Sequence, residues 1–453
     1  MRAALKIAST PDSSAERTGI VGLLDQTIFC GVSGVLLFAP LAFGAVEPWA
    51  LFVVEAVAAL LFGLWAIRQA LASELRIVYS PLFAPMLAFA GLILVQLFAG
   101  RSAYRQETIH GALLYCAYGL ICFLAVQALR RSSQIRLLAY LACIYGLLVA
   151  LFALFQSLSS DGKLYWVRVP RSGGWIYGPY VNHNHYAGLM EMLVPIPLVI
   201  AFSQLHGGKR QRNWAFFAAA IMAATIFLSG SRGGMLACAV ELSLLAAFLF
   251  RQKKGRSTTL AFGAFLTVVV GLLVWLGGAK LSERLASIQT EATTEISGGT
   301  RLQIVHDGLK MYAARPVLGW GLGTFPDVYP QYRTFYTNLF VNQAHNDYLQ
   351  LLIETGAAGF GIMMWFLALT FYRAVRKLKN WPSDINGTMS LIALLGVSGI
   401  LVHSCVDFNL QIPANALLFY VLCVVAALEP RFSTPARRVP VRRRSLERSE
   451  LSA

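Results

Sequence analysis

The sequence predicts an all-α polytopic membrane protein with about twelve spanning helices. Three observations carry that expectation. Hydrophobic residues make up 57% of the 453 residues and charged ones only 13%, whereas soluble globular domains carry about a quarter charged residues. Apolar runs long enough to cross a hydrocarbon core of about 30 Å recur along the whole chain. The basic residues sit in short clusters between those runs rather than on one face, so the net charge of +16 points to membrane topology and not to nucleic acid.

Taken in order, the chain opens with a polar, mixed segment, 1–25, expected to lie in the cytoplasm. The first apolar run begins too late and continues too long for a cleaved signal peptide, so it reads as a spanning helix. The expected spans are 26–44, 50–68, 80–99, 110–129, 136–156, 186–203, 214–229, 233–250, 258–276, 345–372, 388–405 and 412–429. They form one bundle over 26–429. The Lys and Arg residues alternate by loop. Arg68 and Arg76, Arg130, Arg131 and Arg136, Lys209, Arg210 and Arg212, Lys253 and Lys254, and Arg373, Arg376, Lys377 and Lys379 all fall between the same pairs of spans. The positive-inside rule then puts both termini in the cytoplasm of a bacterial inner membrane. Two sizeable segments, 157–185 and 277–344, are left on the periplasmic side, the larger between the ninth and tenth spans. The tail 430–453, with Arg437, Arg438, Arg442, Arg443 and Arg444, reads as a disordered topology anchor that touches anionic lipid. Seven Cys without a CxxC spacing read as small apolar packing residues, not as a disulfide framework or zinc site.

Polar groups are costly in or beside a bilayer, so their clustering is the functional signal. Asn182, His183, Asn184 and His185 open the sixth span with donors, acceptors and a proton carrier, although Asn also serves as a plain helix cap. No carboxylate or Cys stands at ligand spacing from the two His, so no metal site is expected. Ser229-Gly-Ser231-Arg232-Gly-Gly234 forms a tight external hairpin. Its Ser231 hydroxyl, Arg232 guanidinium and backbone N–H groups suit a phosphate, or Arg232 simply snorkels to lipid headgroups. Arg301, after Gly298-Gly-Thr300, opens an amphipathic stretch, either as a second anion ligand or as a solvated side chain. A turn-rich run, Arg315-Pro-Val-Leu-Gly-Trp-Gly-Leu-Gly-Thr-Phe325, follows. In the segment 344–356, helical spacing puts His345 and Tyr348 on one face and Asp347, Gln350 and Glu354 on another. His345 stands at the external water boundary, where an imidazole can accept a proton. His403 and Asp407 are four apart at the outer end of the eleventh span, as an orienting pair or a structural brace. Glu55, Glu191 and Glu241 lie inside spans without a partner identifiable from sequence.

These motifs, over roughly 170–410, resemble the O-antigen ligase and polymerase family of lipid-linked glycan transferases. The resemblance rests on Asn182-His-Asn-His-Tyr-Ala187, Ser229–Gly234, Gly299-Thr-Arg301, Arg315–Phe325, Ala344–Gly356 and His403-Ser-Cys-Val-Asp-Phe408, in that order. It implies a helical bundle of the GT-C type with a large periplasmic loop over the active site. It implies a glycan donor on undecaprenyl diphosphate and metal-independent, inverting transfer to an acceptor hydroxyl, without a cofactor. By the same resemblance Arg232 and Arg301 hold the diphosphate and His345 is the general base. Ser231, Asn182, Asn184, His185, Asn346 and Tyr348 contact substrate, and His403 and Asp407 support the base. The expected acceptor is a lipid A core, the alternatives being another lipid-linked glycan or a protein hydroxyl. A transporter or flippase for lipid-linked glycans is the competing class. It predicts internal symmetry and mid-bilayer polar residues, and the sequence has no detectable repeat.

Overall fold

In the computed structural model the described residues are 13–428, apart from 73–74, 161, 170–175, 206, 252–255, 287–297 and 338–339. Side chains are not described at 13–18, 256–257, 276–286 and 298. The basic tail 430–453, the first twelve residues and the Lys253–Lys254 pair lie outside these described residues. The helices are α1 (Ser13–Leu41), α2 (Pro48–Leu71), α3 (Phe83–Phe98), α4 (Arg105–Ala128), α5 (Ser132–Ser159), α6 (His183–Leu193), α7 (Pro195–Phe202) and α8 (Lys209–Leu228). They continue as α9 (Arg232–Arg251), α10 (Arg256–Ala286), α11 (Gly298–Ala314), α12 (Phe325–Val328), α13 (Asp347–Val375), α14 (Ile385–His403) and α15 (Pro413–Ala427). No strand occurs among the described residues, only the isolated bridges Leu164–Arg168 and Tyr177–Tyr180.

Every expected span falls on a helix, but nine stretches, not twelve, are long and apolar enough to cross a membrane among the described residues. The reasons are physical. α3 and α15 have 16 and 15 residues, short of the roughly 20 needed at 1.5 Å per residue. α8 has 20 residues, but Lys209, Arg210 and Arg212 occupy its first turn. The sixth expected span is among the nine, although Pro195 and Pro197 divide it into two helices and α7 begins at Pro195.

Burial sorts the helices into a centre and a wall. The α6–α7 stretch is 94% buried over its apolar window and α14 78%, whereas the stretches of α1, α2 and α5 are each 28% buried. On the wall, large apolar side chains such as Phe52, Leu87, Phe155 and Trp275 point outward. That arrangement is stable only where the solvent is itself apolar. In the centre small residues let backbones approach. A Cβ on Gly399 of α14 would overlap the Glu241 carboxyl of α9, and one on Gly396 would lie 3.1 Å from Met192 Cα of α6.

The turn-rich run 315–325 is clamped into a break in α13. Gly356 has φ +65°, a conformation that disfavours a side chain, and a Cβ there would strike the Val317 carbonyl. The break releases α13 backbone groups, which pair with the run instead. Trp320 N donates to Ile353 O at 2.9 Å, Gly321 N to Glu354 O at 3.0 Å, and Ala357 N to Pro316 O at 2.8 Å. The buried Glu354 carboxylate accepts from Gly323 N at 2.9 Å, and Gln96 Nε2 of α3 donates to Leu318 O at 2.6 Å and Glu354 O at 2.8 Å. Buried backbone groups in this irregular stretch thus find partners, as a low-dielectric site requires. A Gly356→Ala substitution should destabilise the protein by roughly 1–3 kcal/mol. Thermal unfolding in detergent checks this, with Gly63→Ala, at a glycine with nothing within 4 Å of its Cβ direction, as the neutral control. Equal midpoints for the two variants would show that the clamp is not strained.

Candidate active site

The connection between α14 and α15, residues 404–412, is the point where five separate segments meet. The start of α13 is sewn to it. Asn346 caps α13 by accepting from Leu349 N at 2.9 Å, and its Nδ2 donates to Cys405 O at 2.9 Å. Asp347 N donates to Ser404 O at 3.0 Å. The Asp347 carboxylate accepts from Ser404 Oγ at 2.8 Å, Leu410 N at 3.0 Å and Gln411 Nε2 at 3.3 Å. Tyr348 Oη, on the next residue, donates to Leu401 O at 2.8 Å. These bonds fix the residue just before the cap, His345, at φ +49°, which is uncommon for a residue with a side chain. Its ring packs edge-on against Phe408 at 4.8 Å and its Nδ1 faces Asp407 Oδ1 at 3.4 Å.

Asp407 is 1% exposed. Its Oδ1 accepts from Phe408 N at 2.9 Å, and its Oδ2 lies 3.6 Å from Arg301 Nη1. Arg301 also donates from Nη1 to Val406 O at 2.9 Å and keeps about a quarter of its side chain exposed. Burial by itself would raise the Asp407 pKa. The facing His345 ring and the Arg301 guanidinium outweigh it and hold the carboxyl well below the ordinary carboxylate range. Asp407 is therefore a fixed negative charge that orients one imidazole and one guanidinium.

The sixth expected span arrives from the other side. Asn182 accepts from Asn184 N at 2.8 Å and caps α6. Buried His185 packs on Phe408 at 4.7 Å, the same ring that His345 contacts, and its carbonyl accepts from Asn415 Nδ2 at 2.9 Å. Its Nε2 has no hydrogen-bond partner among the described residues. Asn184 is buried in the same turn. The hairpin 229–234 closes the cluster. Ser231 Oγ accepts from Gly234 N at 3.1 Å and caps α9, leaving Arg232 exposed as its first residue. A Cβ on Gly233 would lie 2.5 Å from His403 Nε2 and 3.1 Å from Val406 Cγ2. Arg232 is thus next to a residue that touches the same turn Arg301 holds.

The structure brings His345, Asn346, Arg301, Asp407 and His185 onto one turn, with Ser231 and Arg232 on its border. The side chains of Asn182, Ser231 and Tyr348 hydrogen-bond to backbone. His403 and Asp407, four apart, do not pair through their side chains. His403 Nδ1 bonds Glu191 Oε1 of α6 at 2.7 Å, fully buried, while Asp407 faces His345 and Arg301. Glu191 was invisible as a partner because 212 positions separate it from His403. Phe408, whose ring contacts both imidazoles, carried no signal beyond its place in a motif. No group of three His, Cys, Asp or Glu side chains among the described residues is arranged to hold a metal ion.

The fold and this cluster define a many-span membrane protein whose polar side chains gather at one end of the bundle. Residues 217–364 match the family model described as O-antigen ligase, which bears out the resemblance to the O-antigen ligase and polymerase family. The matched segment contains Arg232, Arg301, the clamp run and His345, and it supports membrane glycan transfer in general. No curated protein matches the chain.

Because the Asp407 pKa is depressed when folded, its contribution to stability is present above its ordinary value of 3.8 and is lost as pH falls below it. In Asp407→Asn the thermal midpoint should be lower at neutral pH, and the gap from the unsubstituted protein should narrow as pH falls below about 4. Midpoints measured in detergent across that range check the sign. A gap that widens on acidification would contradict the assigned charge.

Proposed function

We propose that the protein transfers a glycan from undecaprenyl diphosphate to an acceptor hydroxyl at the periplasmic face of a bacterial inner membrane. The observation that carries this reading is the convergence of His345 and Arg301 on the buried Asp407, beside the exposed start of α9 at Arg232. Two guanidiniums are suited to a diphosphate leaving group, since each offers forked donors and a permanent charge. They stabilise the negative charge that develops on the leaving oxygen. With Nδ1 turned to Asp407, the other ring nitrogen of His345 is the one that takes the acceptor proton, and Asp407 stabilises the imidazolium so formed.

The step then balances. The acceptor oxygen forms a bond to the anomeric carbon, the bond from that carbon to the phosphate oxygen breaks, and undecaprenyl diphosphate leaves. The acceptor proton resides on His345 until solvent removes it. In-line displacement on one centre inverts it. The preferred acceptor is a lipid A core, with another lipid-linked glycan or a protein hydroxyl as the alternatives.

A reconstituted assay with purified undecaprenyl-diphosphate-linked glycan and the three acceptor types tests this directly. His345→Ala should lower transfer by about 10²–10⁴-fold, the usual contribution of a general base. Arg232→Ala and Arg301→Ala should lower it by about 10²-fold or more. Arg232→Ala, at an exposed side chain, should reach the membrane in normal amount, and transfer by the other two is compared per amount of folded protein. Undiminished product from His345→Ala would remove it as the base.

A further inference from the structure

An apolar slot of about 440 Å³ lies between α3, α4, α13 and α15, away from the residues assigned to catalysis. It follows the helices lengthwise. On α3 its wall runs from Pro85 to Leu97, about 18 Å at 1.5 Å per residue. On α4 it includes Ile109, Ala112 and Cys116, which share one face of the helix. Leu94 and Leu113 at the rim are exposed, so the slot opens sideways toward the lipid. A groove of this length, width and apolarity accommodates one hydrocarbon chain.

Its upper end is basic. Arg101 lies in the short α3–α4 connection, and Arg105 stands one turn above Ile109 on the same face of α4. Arg315 joins them from the clamp run, donating to Arg101 O at 3.0 Å with its guanidinium over Trp320. All three are exposed. The carboxylate nearby, Glu107, lies 3.7 Å from His110 Nδ1. Exposed Arg residues over an apolar slot are the arrangement expected for an anionic lipid headgroup with its chain below.

The separation of the slot's basic mouth from the catalytic cluster identifies which lipid. α11 has Arg301 near its first turn, against Asp407, and ends at Ala314, next to Arg315. Arg301 to Ala314 spans about 20 Å of helix, so α11 separates the mouth of the slot from the catalytic cluster by that length. The headgroup at the mouth is not the donor's, because the donor diphosphate must lie beside Arg232 and Arg301 when its bond to the sugar breaks. An acceptor differs, since its reacting hydroxyl is at the far end of a saccharide from its lipid anchor. We propose that this slot seats an acyl chain of an anionic glycolipid acceptor, whose phosphorylated headgroup lies on Arg101, Arg105 and Arg315 and whose saccharide reaches across to His345. This rests on the transferase reading above.

Kinetics with a lipid A core acceptor test it. Ala112→Phe, which fills the slot, and the mouth variant Arg101→Glu/Arg105→Glu should each raise KM for that acceptor by about tenfold or more. KM for the lipid-linked donor should be unchanged, and a deacylated core oligosaccharide should be used equally by the Ala112→Phe and unsubstituted proteins. A rise in donor KM instead, or no change in either, would overturn the proposal. Photocrosslinking of a diazirine-tailed lipid A reads the slot without turnover. Label on α3 and α4 peptides that Ala112→Phe removes supports the proposal even if no transfer to lipid A is detected, a result that would count against the preferred acceptor. Label found elsewhere overturns the proposal while leaving the transferase reading intact.

Discussion

A carboxylate with 1% of its surface exposed keeps its charge only if a cation and polar partners are brought to it. Asp407 meets that condition with Arg301 from α11 and His345 from the start of α13. Breaking such a buried arrangement leaves an uncompensated charge, which costs far more than a surface ion pair contributes. The position of the α14–α15 connection therefore fixes where the guanidinium and the imidazole stand. Further contacts at this end hold that position. Asp347 and Asn346 tie α13 to it, the His403–Glu191 pair ties it to α6, and the Phe408 ring contacts both His185 and His345.

The motifs divide between chemistry and architecture, and the division does not follow their polarity. The run 315–325 is rich in glycine, and it holds the break at Gly356 through backbone bonds. Glu354, an acidic residue in a spanning helix, is usually suspected of function. Here it accepts from Gly323 and Phe325 and stabilises the clamp. Asn182 and Ser231 likewise act as helix caps. Polar residues in this bundle mostly solve the problem of irregular backbone in a medium without water.

Helix positions were legible because periodicity and hydropathy are local properties, and each expected span coincides with a helix. The number long enough to cross unaided was not, since α3 and α15 are shortened by turns that only tertiary packing defines. At the site, the types of residue and their gathering at one end could be read from the sequence. Their pairings could not. The i, i+4 spacing of His403 and Asp407 suggests a bond between them, but α14 ends at His403 and the chain turns there. Asp407 thereby points to His345 and Arg301, while His403 reaches Glu191 on a helix formed two hundred residues earlier. Helical spacing loses its meaning one residue past the end of a helix.

The central helix α6 has a consequence for biogenesis. It carries Asn182 at its cap and His183, Asn184, His185 and Glu191 within it, and almost none of its surface meets lipid. A segment of that composition partitions poorly into a bilayer by itself. Its main neighbours α8, α9, α14 and α15 all follow it in the chain and only α5 precedes it, so it leaves the ribosome before most of the surfaces that will enclose it exist. Stable insertion of α6 must await them, which couples completion of the membrane bundle to synthesis of its last two helices. A chain truncated before α14 lacks both the receptor for α6 and the turn that bears Asp407.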